Sequence, residues 1–151
     1  MKVYADTTYL VAMYFPDDTF TGLALRSFEQ IHGPPLLYTP IHRLETRNTI
    51  RQLVFHQKTT KSQARQILRD IESDLDDGDL VHASLDWTET LRECERLSDA
   101  HTPGTGCRAM DILHVASATV LSVDLFLTFD GRQFDLAKAS GLIAENPAIR
   151  G

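Results

Sequence analysis

Four acidic residues stand where predicted strands end and predicted helices begin, and this placement limits the folds that the chain can adopt. Asp6 closes a short apolar strand, and Asp130 follows a second one. Glu45 and Asp111 each lie near the start of a predicted helix. The carboxyl ends of parallel strands meet at one edge of a sheet, where open α/β folds place their active sites. The four carboxylates are therefore expected to converge at that edge.

Strand and helix patterns alternate along the whole chain. Pro103, Gly104 and Gly106 predict a loop over 101–106, before the helix that carries Asp111. Strands that alternate with helices indicate an α/β fold with a mainly parallel central sheet that is covered by helices on both faces. The predicted strands lie at 2–5, 36–39, 80–85 and 123–128, and the first four predicted helices at 7–14, 18–31, 40–57 and 59–76. Three more helices are predicted: one that begins at about residue 86, one that contains Asp111, and one from Asp130 to about residue 140.

The composition is that of an ordinary globular protein, with 42% hydrophobic and 24% charged residues. At 151 residues the chain is long enough for one sizeable core, and we expect residues 1–151 to form a single domain. No apolar run approaches the length of a membrane span, so no membrane association and a cytoplasmic location are expected. Cys94 and Cys107 belong to no C-x-x-C motif and are expected to be free thiols.

The charge is distributed unevenly along the chain. The net charge of −6 argues against a general nucleic-acid coat protein. Residues 43–69 contain seven basic residues and one acid, Glu45, whereas residues 70–99 contain eleven acids and two arginines. The basic stretch, including Arg43, Arg47 and Arg51, is a candidate surface for a phosphate backbone. Two helices with a solvated charged face explain the same pattern, and composition does not separate the two explanations.

Each acidic residue also has a purely structural explanation. Asp6 precedes Thr7 and Thr8 at a helix start, where aspartate is a good N-cap. Glu45 falls on the partly apolar face of its helix, where a carboxylate is seldom buried without a partner, and an arginine is one candidate partner. Asp111, in the first turn of an apolar helix, is either a partner of the helix dipole or a ligand.

Other polar residues accompany the acids. Thr128 and Asp130 point to the same side if the strand is still extended there, and a hydroxyl and a carboxylate together can hold a metal-bound water. His114 lies one turn after Asp111 and is interpreted as a hydrogen-bonded core residue rather than a metal ligand. Asp135 lies a turn into the last helix and is assigned to the surface.

Electrostatics favours a cation among the four carboxylates. Two unit negative charges about 4 Å apart repel by about 4 kcal/mol at an effective dielectric constant of about 20. Four such groups do not converge without protonation or a cation. Oxygen-only ligands favour Mg²⁺ or Mn²⁺ over Zn²⁺, which prefers His and Cys. The reaction expected at such a site is metal-assisted attack of water on a phosphodiester, which requires no histidine base.

Five segments carry a resemblance to a known family: 3–8 (VYADTT), Leu44-Glu45, 111–118 (DILHVASA), 127–130 (LTFD) and Gly141-Leu142. Through them the chain resembles the PIN-domain ribonucleases, and among them the VapC-type toxins of prokaryotic toxin–antitoxin pairs, over essentially its whole length. The resemblance implies a PIN-like three-layer α/β/α fold and a Mg²⁺- or Mn²⁺-dependent endoribonuclease. It further implies an RNA substrate, a homodimer and a cognate antitoxin. The implied metal-binding and catalytic residues are Asp6, Glu45, Asp111 and Asp130, with Thr128 as a supporting catalytic residue.

Other functions are compatible with some of the same residues. A PIN-domain nuclease of RNA processing outside a toxin pair would share the acids, and an interaction module that has lost its chemistry would keep the fold. A phosphatase of the haloacid-dehalogenase type needs a second aspartate two residues after Asp6, where this chain has Thr8. The segment 102–106 resembles a phosphate-binding loop but lacks its lysine.

Overall fold

Five strands form the central sheet of the protein in a computed structural model that describes residues 1–149. The strands are β1 (Val3–Ala5), β2 (Leu36–Tyr38), β3 (Leu80–His82), β4 (Leu125–Leu127) and β5 (Ala144–Glu145). Their order is β3-β2-β1-β4-β5, and every neighbouring pair is parallel. Val3 pairs with Leu36 on one side and with Leu125 on the other, so β1 is the central strand. The predicted α/β fold is confirmed.

Helices cover both faces of the sheet. The helices are α1 (Thr7–Tyr14), α2 (Thr21–Gln30), α3 (Pro40–Phe55), α4 (Lys61–Asp77), α5 (Trp87–Thr105), α6 (Ala109–Val120) and α7 (Gly131–Ala139). The first four contribute buried side chains to the core on one face, and the last three contribute to the core on the other. The result is three layers, with the sheet in the middle.

The two cores meet the central strand on opposite sides, because successive side chains of a strand point to opposite faces. Val3 and Ala5 belong to the core beneath α1–α4, and Tyr4 belongs to the core beneath α5–α7. Tyr4 and Phe126 stack across β1 and β4 with ring centroids 5.4 Å apart. Burial on both faces explains why the strands read as continuous apolar runs rather than alternating patterns.

The chain changes direction across the sheet at β1. From β1 it proceeds to β2 and β3 on one side, and it later returns to β4 and β5 on the other. In parallel sheets a crevice opens beyond the carboxyl ends of the two strands at such a switch point. The Asp6 backbone N–H donates to the Leu127 carbonyl over 2.9 Å, which holds the residues after β1 and β4 side by side.

A buried histidine fastens α3 to the end of β1. His42 Nε2 donates to the Ala5 carbonyl over 2.7 Å, and its Nδ1 accepts from the Thr39 backbone N–H over 3.0 Å. A carbonyl only accepts and a backbone N–H only donates, so the ring is neutral with its proton on Nε2. Burial, with a smaller effect of His114, lowers the pKa of His42 to about 3. A neutral imidazole therefore sets the position of α3 against β1.

Helix α5 continues through the segment predicted as a loop, so the prediction of a loop over 101–106 is wrong. Pro103 lies in the last turn of the helix, where its missing N–H removes only one intrahelical hydrogen bond. Leu97 is fully buried in the core shared with α6, which stabilises the helix as a whole. The helix ends at Gly106, whose φ of +66° is the left-handed conformation that glycine adopts readily.

Several boundaries also differ from those predicted. Strand β5 is two residues long and was not predicted, because so short a run has no periodicity of its own. Strands β3 and β4 are shorter than the predicted strands 80–85 and 123–128. Helix α2 begins at Thr21 rather than near residue 18, because Asp18 Oδ1 accepts from the Phe20 N–H in a turn that precedes the helix.

Two further features of the fold concern the cysteines and membrane-spanning helices. Cys94 and Cys107 are both free and partly buried, as predicted, and pack against the core beneath α5–α7. Within residues 1–149, no helix combines the length and the apolar character needed to cross a membrane.

The neutral state of His42 makes the free energy of unfolding depend on pH. An unfolded histidine binds a proton below about pH 6.5, whereas buried His42 binds one only near pH 3. Its stabilising contribution is therefore complete above the unfolded pKa and is lost as the pH falls toward 3. Between pH 7 and pH 5 we expect the wild type to lose about 2 kcal/mol more than His42→Gln. Urea unfolding of both proteins measures this difference, and parallel pH dependences would contradict it.

Candidate functional site

All four predicted acidic residues line one cleft at the switch point of the sheet, with a volume of about 890 Å³. Asp6 comes directly after β1 and is the N-cap of α1, and Asp130 comes shortly after β4 and is the N-cap of α7. Glu45 lies on α3, and Asp111 lies in the first turn of α6. Four separate parts of the fold thus direct carboxylates to one cavity.

Asp6 is the most constrained of the four, with 1% of its surface exposed. Its Oδ1 accepts from the Thr8 hydroxyl over 2.5 Å and from the Tyr9 N–H over 3.0 Å, and its Oδ2 accepts from the Thr128 hydroxyl over 2.5 Å. Burial raises the pKa of Asp6 to about 6, against the opposing effects of His114 and the hydroxyl hydrogen bonds. Asp6 therefore caps α1 and also presents a poorly solvated carboxylate, which a nearby cation would favour in its charged form.

Thr128 connects two of the carboxylates. Its fully buried hydroxyl donates to Asp6 and accepts from the Asp130 N–H over 2.9 Å. Asp130 Oδ1 in turn accepts from the backbone N–H groups of Arg132 and Gln133, over 2.8 and 3.1 Å. One hydroxyl therefore holds the end of β4 and the start of α7 in register with the carboxylate at the end of β1.

Asp111 is held from two directions and is 8% exposed. Its Oδ1 accepts from Gln133 Nε2 over 3.2 Å, and its Oδ2 accepts from the Arg108 backbone N–H over 3.3 Å. Gln133 lies three residues after Asp130 on the same side of α7, and so links the third carboxylate to the fourth. The Arg108 side chain is exposed at the rim and, apart from His114, is the one basic residue among residues 1–149 that lines the cleft.

Glu45 has a histidine partner rather than the arginine that the sequence suggested. His114 is 1% exposed and lies between the Tyr4 hydroxyl at Nδ1 and Glu45 Oε1 at Nε2, both at 2.7 Å. Burial raises the pKa of Tyr4 well above its ordinary value, so its hydroxyl stays protonated and shares a hydrogen bond with Nδ1. An ionised carboxylate only accepts, so Nε2–H donates to Glu45. The interpretation of His114 as a hydrogen-bonded core residue is confirmed.

The electrostatics of Glu45 follows from this contact. Burial alone would raise its pKa, but the hydrogen bond and the charge interaction with His114 outweigh burial and bring the pKa below its ordinary value. Glu45 therefore stays ionised at neutral pH, in a cleft that is lined by four other acidic residues, namely the predicted Asp6, Asp111 and Asp130 and, in addition, Asp18.

The oxygen atoms of the carboxylates that line the cleft are the kind of ligand that Mg²⁺ and Mn²⁺ prefer. Gln133, which also lines the cleft, has a buried Oε1 without a hydrogen-bond partner among residues 1–149. A buried polar atom of this kind is costly unless water or a ligand satisfies it. No group of three or more His, Cys, Asp or Glu side chains in the same residues is arranged to hold a metal ion as it stands. The donor chemistry fits a hard cation such as Mg²⁺, which one or two carboxylates together with water can hold.

The three arginines predicted to bind RNA do not line the cleft. Arg43 and Arg47 both pair with Glu72 of α4, over 2.9 and 2.8 Å. Arg51 is exposed and forms no ion pair within the described part of the chain. Arg43 and Arg47 thus face α4, while Glu45 of the same helix faces α6, and RNA contact by the arginines stays a prediction.

Sequence reasoning missed several residues that hold the site together. Gln133 carried a usable signal, because a polar residue three positions after Asp130 shares its helix face. Tyr4 carried none, since it belongs to an apolar strand and its hydroxyl reaches a residue 110 positions away. The partnership of His114 with Glu45 spans 69 positions and likewise has no local signature.

Solved structures share this fold, among them FitAcB from Neisseria gonorrhoeae, with a TM-score of 0.69 at 17% identity over 98% of this chain and 99% of that chain. VapC20 of Mycobacterium tuberculosis, a toxin that cleaves the sarcin–ricin loop, gives a TM-score of 0.62 at 16% identity, over 94% of this chain and 97% of that chain. No protein-family model matches the sequence, and no curated protein matches it. At these identities the likeness establishes the fold, and the predicted PIN-like three-layer fold is confirmed.

Replacing Thr128 tests the hydrogen bonds that connect Asp6 and Asp130. Thr128→Val keeps the shape of the side chain but removes the donor to one carboxylate and the acceptor for a backbone N–H. We expect the free energy of unfolding at pH 7 to fall by about 1.5–3 kcal/mol, because a buried charged acceptor loses a hydrogen bond. Thr128→Ser keeps the hydroxyl and should lose about 0.8 kcal/mol, the value of one buried methyl group. Equal losses in urea denaturation of the two variants would contradict this role.

Proposed function

We propose that the protein is a metal-dependent endoribonuclease that hydrolyses RNA phosphodiesters, and that it is the toxin of a type II toxin–antitoxin pair. The nuclease proposal rests on one observation, the convergence of four carboxylates from four parts of the fold in a single cleft at the sheet's switch point. Capping or dipole roles explain each acid separately. They do not explain why all four open into the same cavity, where their mutual repulsion is greatest.

In the proposed reaction a water oxygen forms a bond to phosphorus while one P–O ester bond breaks. The water loses a proton and the departing ribose oxygen gains one, so hydrolysis needs no further reactant. A bound Mg²⁺ or Mn²⁺ supplies neutralisation of the phosphate charge and a lowered pKa for water. The residues proposed to hold it are Asp6, Glu45, Asp111 and Asp130.

The remaining residues of the cleft position these carboxylates. Thr128, His114 and Gln133 donate hydrogen bonds to Asp6, Glu45 and Asp111 respectively. Partners of this kind fix the orientation of metal-binding side chains and are commonly as important as the ligands themselves. The exposed side chain of Arg108 stands at the rim of the cleft, where it can contact a phosphate of the incoming strand.

The toxin proposal is supported by the structural neighbours. VapC20, whose fold this chain shares, is a toxin that cleaves the sarcin–ricin loop, and the sequence resembles the VapC-type toxins of toxin–antitoxin pairs. The proposal therefore includes a cognate antitoxin protein as partner, a homodimer and a cytoplasmic location, where RNA substrates are present. A PIN-domain nuclease of RNA processing is the alternative, because it would use the same cleft on a different RNA.

Cleavage of structured RNAs tests the reaction. Purified protein is incubated with tRNAs and ribosomal RNA fragments in Mg²⁺, in Mn²⁺ or in EDTA, and we expect discrete products only with a metal. Asp111→Asn removes one carboxylate and should lower the rate about 100-fold or more. Asp135→Asn is the matched control, because Asp135 is exposed on α7 and lies outside the cleft. Equal cleavage by the wild type and Asp111→Asn would show that the activity belongs to a contaminant.

Metal binding is measured on the same proteins by thermal unfolding. An ion that binds only the native state stabilises it by about 2.7 kcal/mol at 100 times its dissociation constant. We expect Mg²⁺ to raise the Tm of the wild type and of Asp135→Asn, and to raise that of Asp111→Asn much less. A wild type without this shift and without cleavage would end the nuclease proposal. A clear shift without cleavage of any RNA would favour a catalytically silent interaction module.

Expression in a bacterial host separates a toxin from an RNA-processing enzyme. Induction of the wild type should arrest growth within a few generations, whereas Asp111→Asn at the same protein level should not. The physical reason is that one active endonuclease destroys many RNA molecules, so arrest requires catalysis and not binding alone. Normal growth with a wild type that cleaves RNA in the test tube would favour the RNA-processing alternative.

A further inference from the structure

The last residue of α3, Phe55, leaves 81% of its surface exposed. Its ring lies edge-on to that of His56, with centroids 5.1 Å apart and an interplanar angle of 76°, and His56 is exposed as well. Phe55 belongs to neither hydrophobic core of the residues that the structure describes. Single exposed apolar residues are common on protein surfaces, so the surroundings decide whether this one has a role.

The turn after Phe55 has a defined shape. The Lys58 N–H donates to the Leu53 carbonyl over 2.9 Å, and the Gln57 N–H donates to the Val54 carbonyl over 3.0 Å. This pair of bonds ends a helix through a residue in the left-handed conformation, and Gln57 has a φ of +59°. A non-glycine residue adopts that conformation only where local bonds hold it. The turn thus presents the two rings and Lys58 together.

The residues near the two rings in the sequence are basic. No acidic residue occurs between positions 46 and 69. Arg43 and Arg47 are already engaged by Glu72, so unpaired positive charge on α3 begins one helical turn later. The basic side chains that lie within ten positions of Phe55 and form no ion pair within residues 1–149 are Arg51, Lys58, Lys61 and Arg65.

Helix α3 leads from the acidic cleft to this turn. Asn48 and Gln52 line the cleft between Glu45 and the end of the helix. At about 1.5 Å per residue, Phe55 lies about 15 Å beyond Glu45 along the helix axis. Arg51 precedes Phe55 by one turn and therefore shares its side of the helix. A strand of a few nucleotides is long enough to contact both the cleft and the turn.

We propose that the turn between α3 and α4 is a docking surface for single-stranded RNA, here called the turn platform and formed by Arg51, Phe55, His56, Lys58 and Lys61. One base stacks on the Phe55 ring while the cations contact the neighbouring phosphates. An aromatic side chain in a positively charged groove is the usual means of binding single strands without sequence readout. The inference rests on the proposed nuclease function and refines its substrate, because only an unpaired base can stack on a protein ring.

A protein segment is the other kind of occupant for an exposed aromatic ring. The core of a protein interface is depleted of lysine, whereas Lys58 and Lys61 lie within six positions of Phe55 and form no ion pair within residues 1–149. A polyanion satisfies all of these cations at once and releases their counterions. The charge near the ring therefore favours RNA as the occupant. The acidic segment 70–99 of a second copy of this chain would be the competing partner, and sedimentation distinguishes the two.

The test is binding of a labelled single-stranded oligoribonucleotide to the full chain in EDTA and low salt. Phe55→Ala should weaken binding about 5- to 150-fold, the range for loss of one base–aromatic stack, and Phe55→Trp should restore it. Trp87→Ala is the matched control, because Trp87 is 47% exposed but adjoins the acidic residues Asp86 and Glu89. An unchanged affinity in Phe55→Ala, an equal loss in Trp87→Ala, or no measurable binding by the wild type would overturn the proposal.

The salt dependence tests the cations separately from the ring. Replacing Lys58 and Lys61 together by Gln should reduce the slope of log K against log salt by about 1.4, since each phosphate contact on a single strand contributes about 0.7. Arg43→Gln should change the slope much less, because Glu72 already pairs with Arg43. Equal changes of the slope in the double lysine variant and in Arg43→Gln would overturn the assignment of Lys58 and Lys61 to RNA contact. So would conversion of a dimer to a monomer by Phe55→Ala in sedimentation, which would identify a contact between chains.

Steady-state cleavage distinguishes a failure of this inference from a failure of the proposed nuclease. The turn platform predicts that Phe55→Ala raises KM by the same factor as the dissociation constant and leaves kcat nearly unchanged. If the wild type cleaves RNA and Phe55→Ala has the wild-type KM, the platform is wrong and the nuclease stands. If RNA binds through Phe55 but no metal supports cleavage, the platform stands and the nuclease proposal is wrong.

Discussion

The buried carboxylate of Asp6 is the interaction on which the geometry of the cleft depends. Burial of a charge is costly unless hydrogen bonds replace its lost water, and Asp6 receives them from Thr8, from the Tyr9 N–H and from Thr128. These donors belong to the start of α1 and the end of β4, so solvating one charge also fixes the two elements that flank the switch point. The raised pKa of Asp6 shows that three donors do not replace water completely. A cation beside Asp6 would reduce the remaining cost of burying its charged carboxylate.

Asp111 and Glu45 follow the same rule, each with a side-chain donor from a different element. Gln133 of α7 donates to Asp111 of α6, and His114 of α6 donates to Glu45 of α3. Tyr4, which lies on the opposite face of β1 from Val3, completes the contact through His114. Packing of the core beneath α5–α7 therefore sets the position of Glu45 at the cleft. A substitution in that core should be felt at the site even where it touches no carboxylate.

The sequence predicted those parts of the molecule whose causes are local. Apolar runs bounded by caps identified most strands and helices, and the position of Asp6 and Asp130 after two strands placed them at one sheet edge. The failures have non-local causes: α5 passes through Pro103 because the buried Leu97 stabilises the helix, and Glu45 pairs with a histidine 69 positions away. A helical wheel separated the arginines from Glu45 correctly, but it gave no information about Glu72, which α4 brings to them.

The pairing of those arginines suggests how helix α3 can border both an acidic cleft and a basic RNA-binding surface. Four carboxylates in a cleft repel a polyanion, so affinity for RNA has to come from outside the cleft. Charges separated by more than about 10 Å at 0.1 M salt are largely screened from one another, and the turn after Phe55 lies about 15 Å along α3 from Glu45. Arg43 and Arg47 lie within the screening length of Glu45, and both of them pair with Glu72 on the other side of the helix. Arg51 lies about 9 Å along the axis from Glu45, close to the screening length, and the lysines of the turn platform lie beyond it. Most of the basic charge that attracts RNA is therefore screened from the acidic charge that attracts a metal.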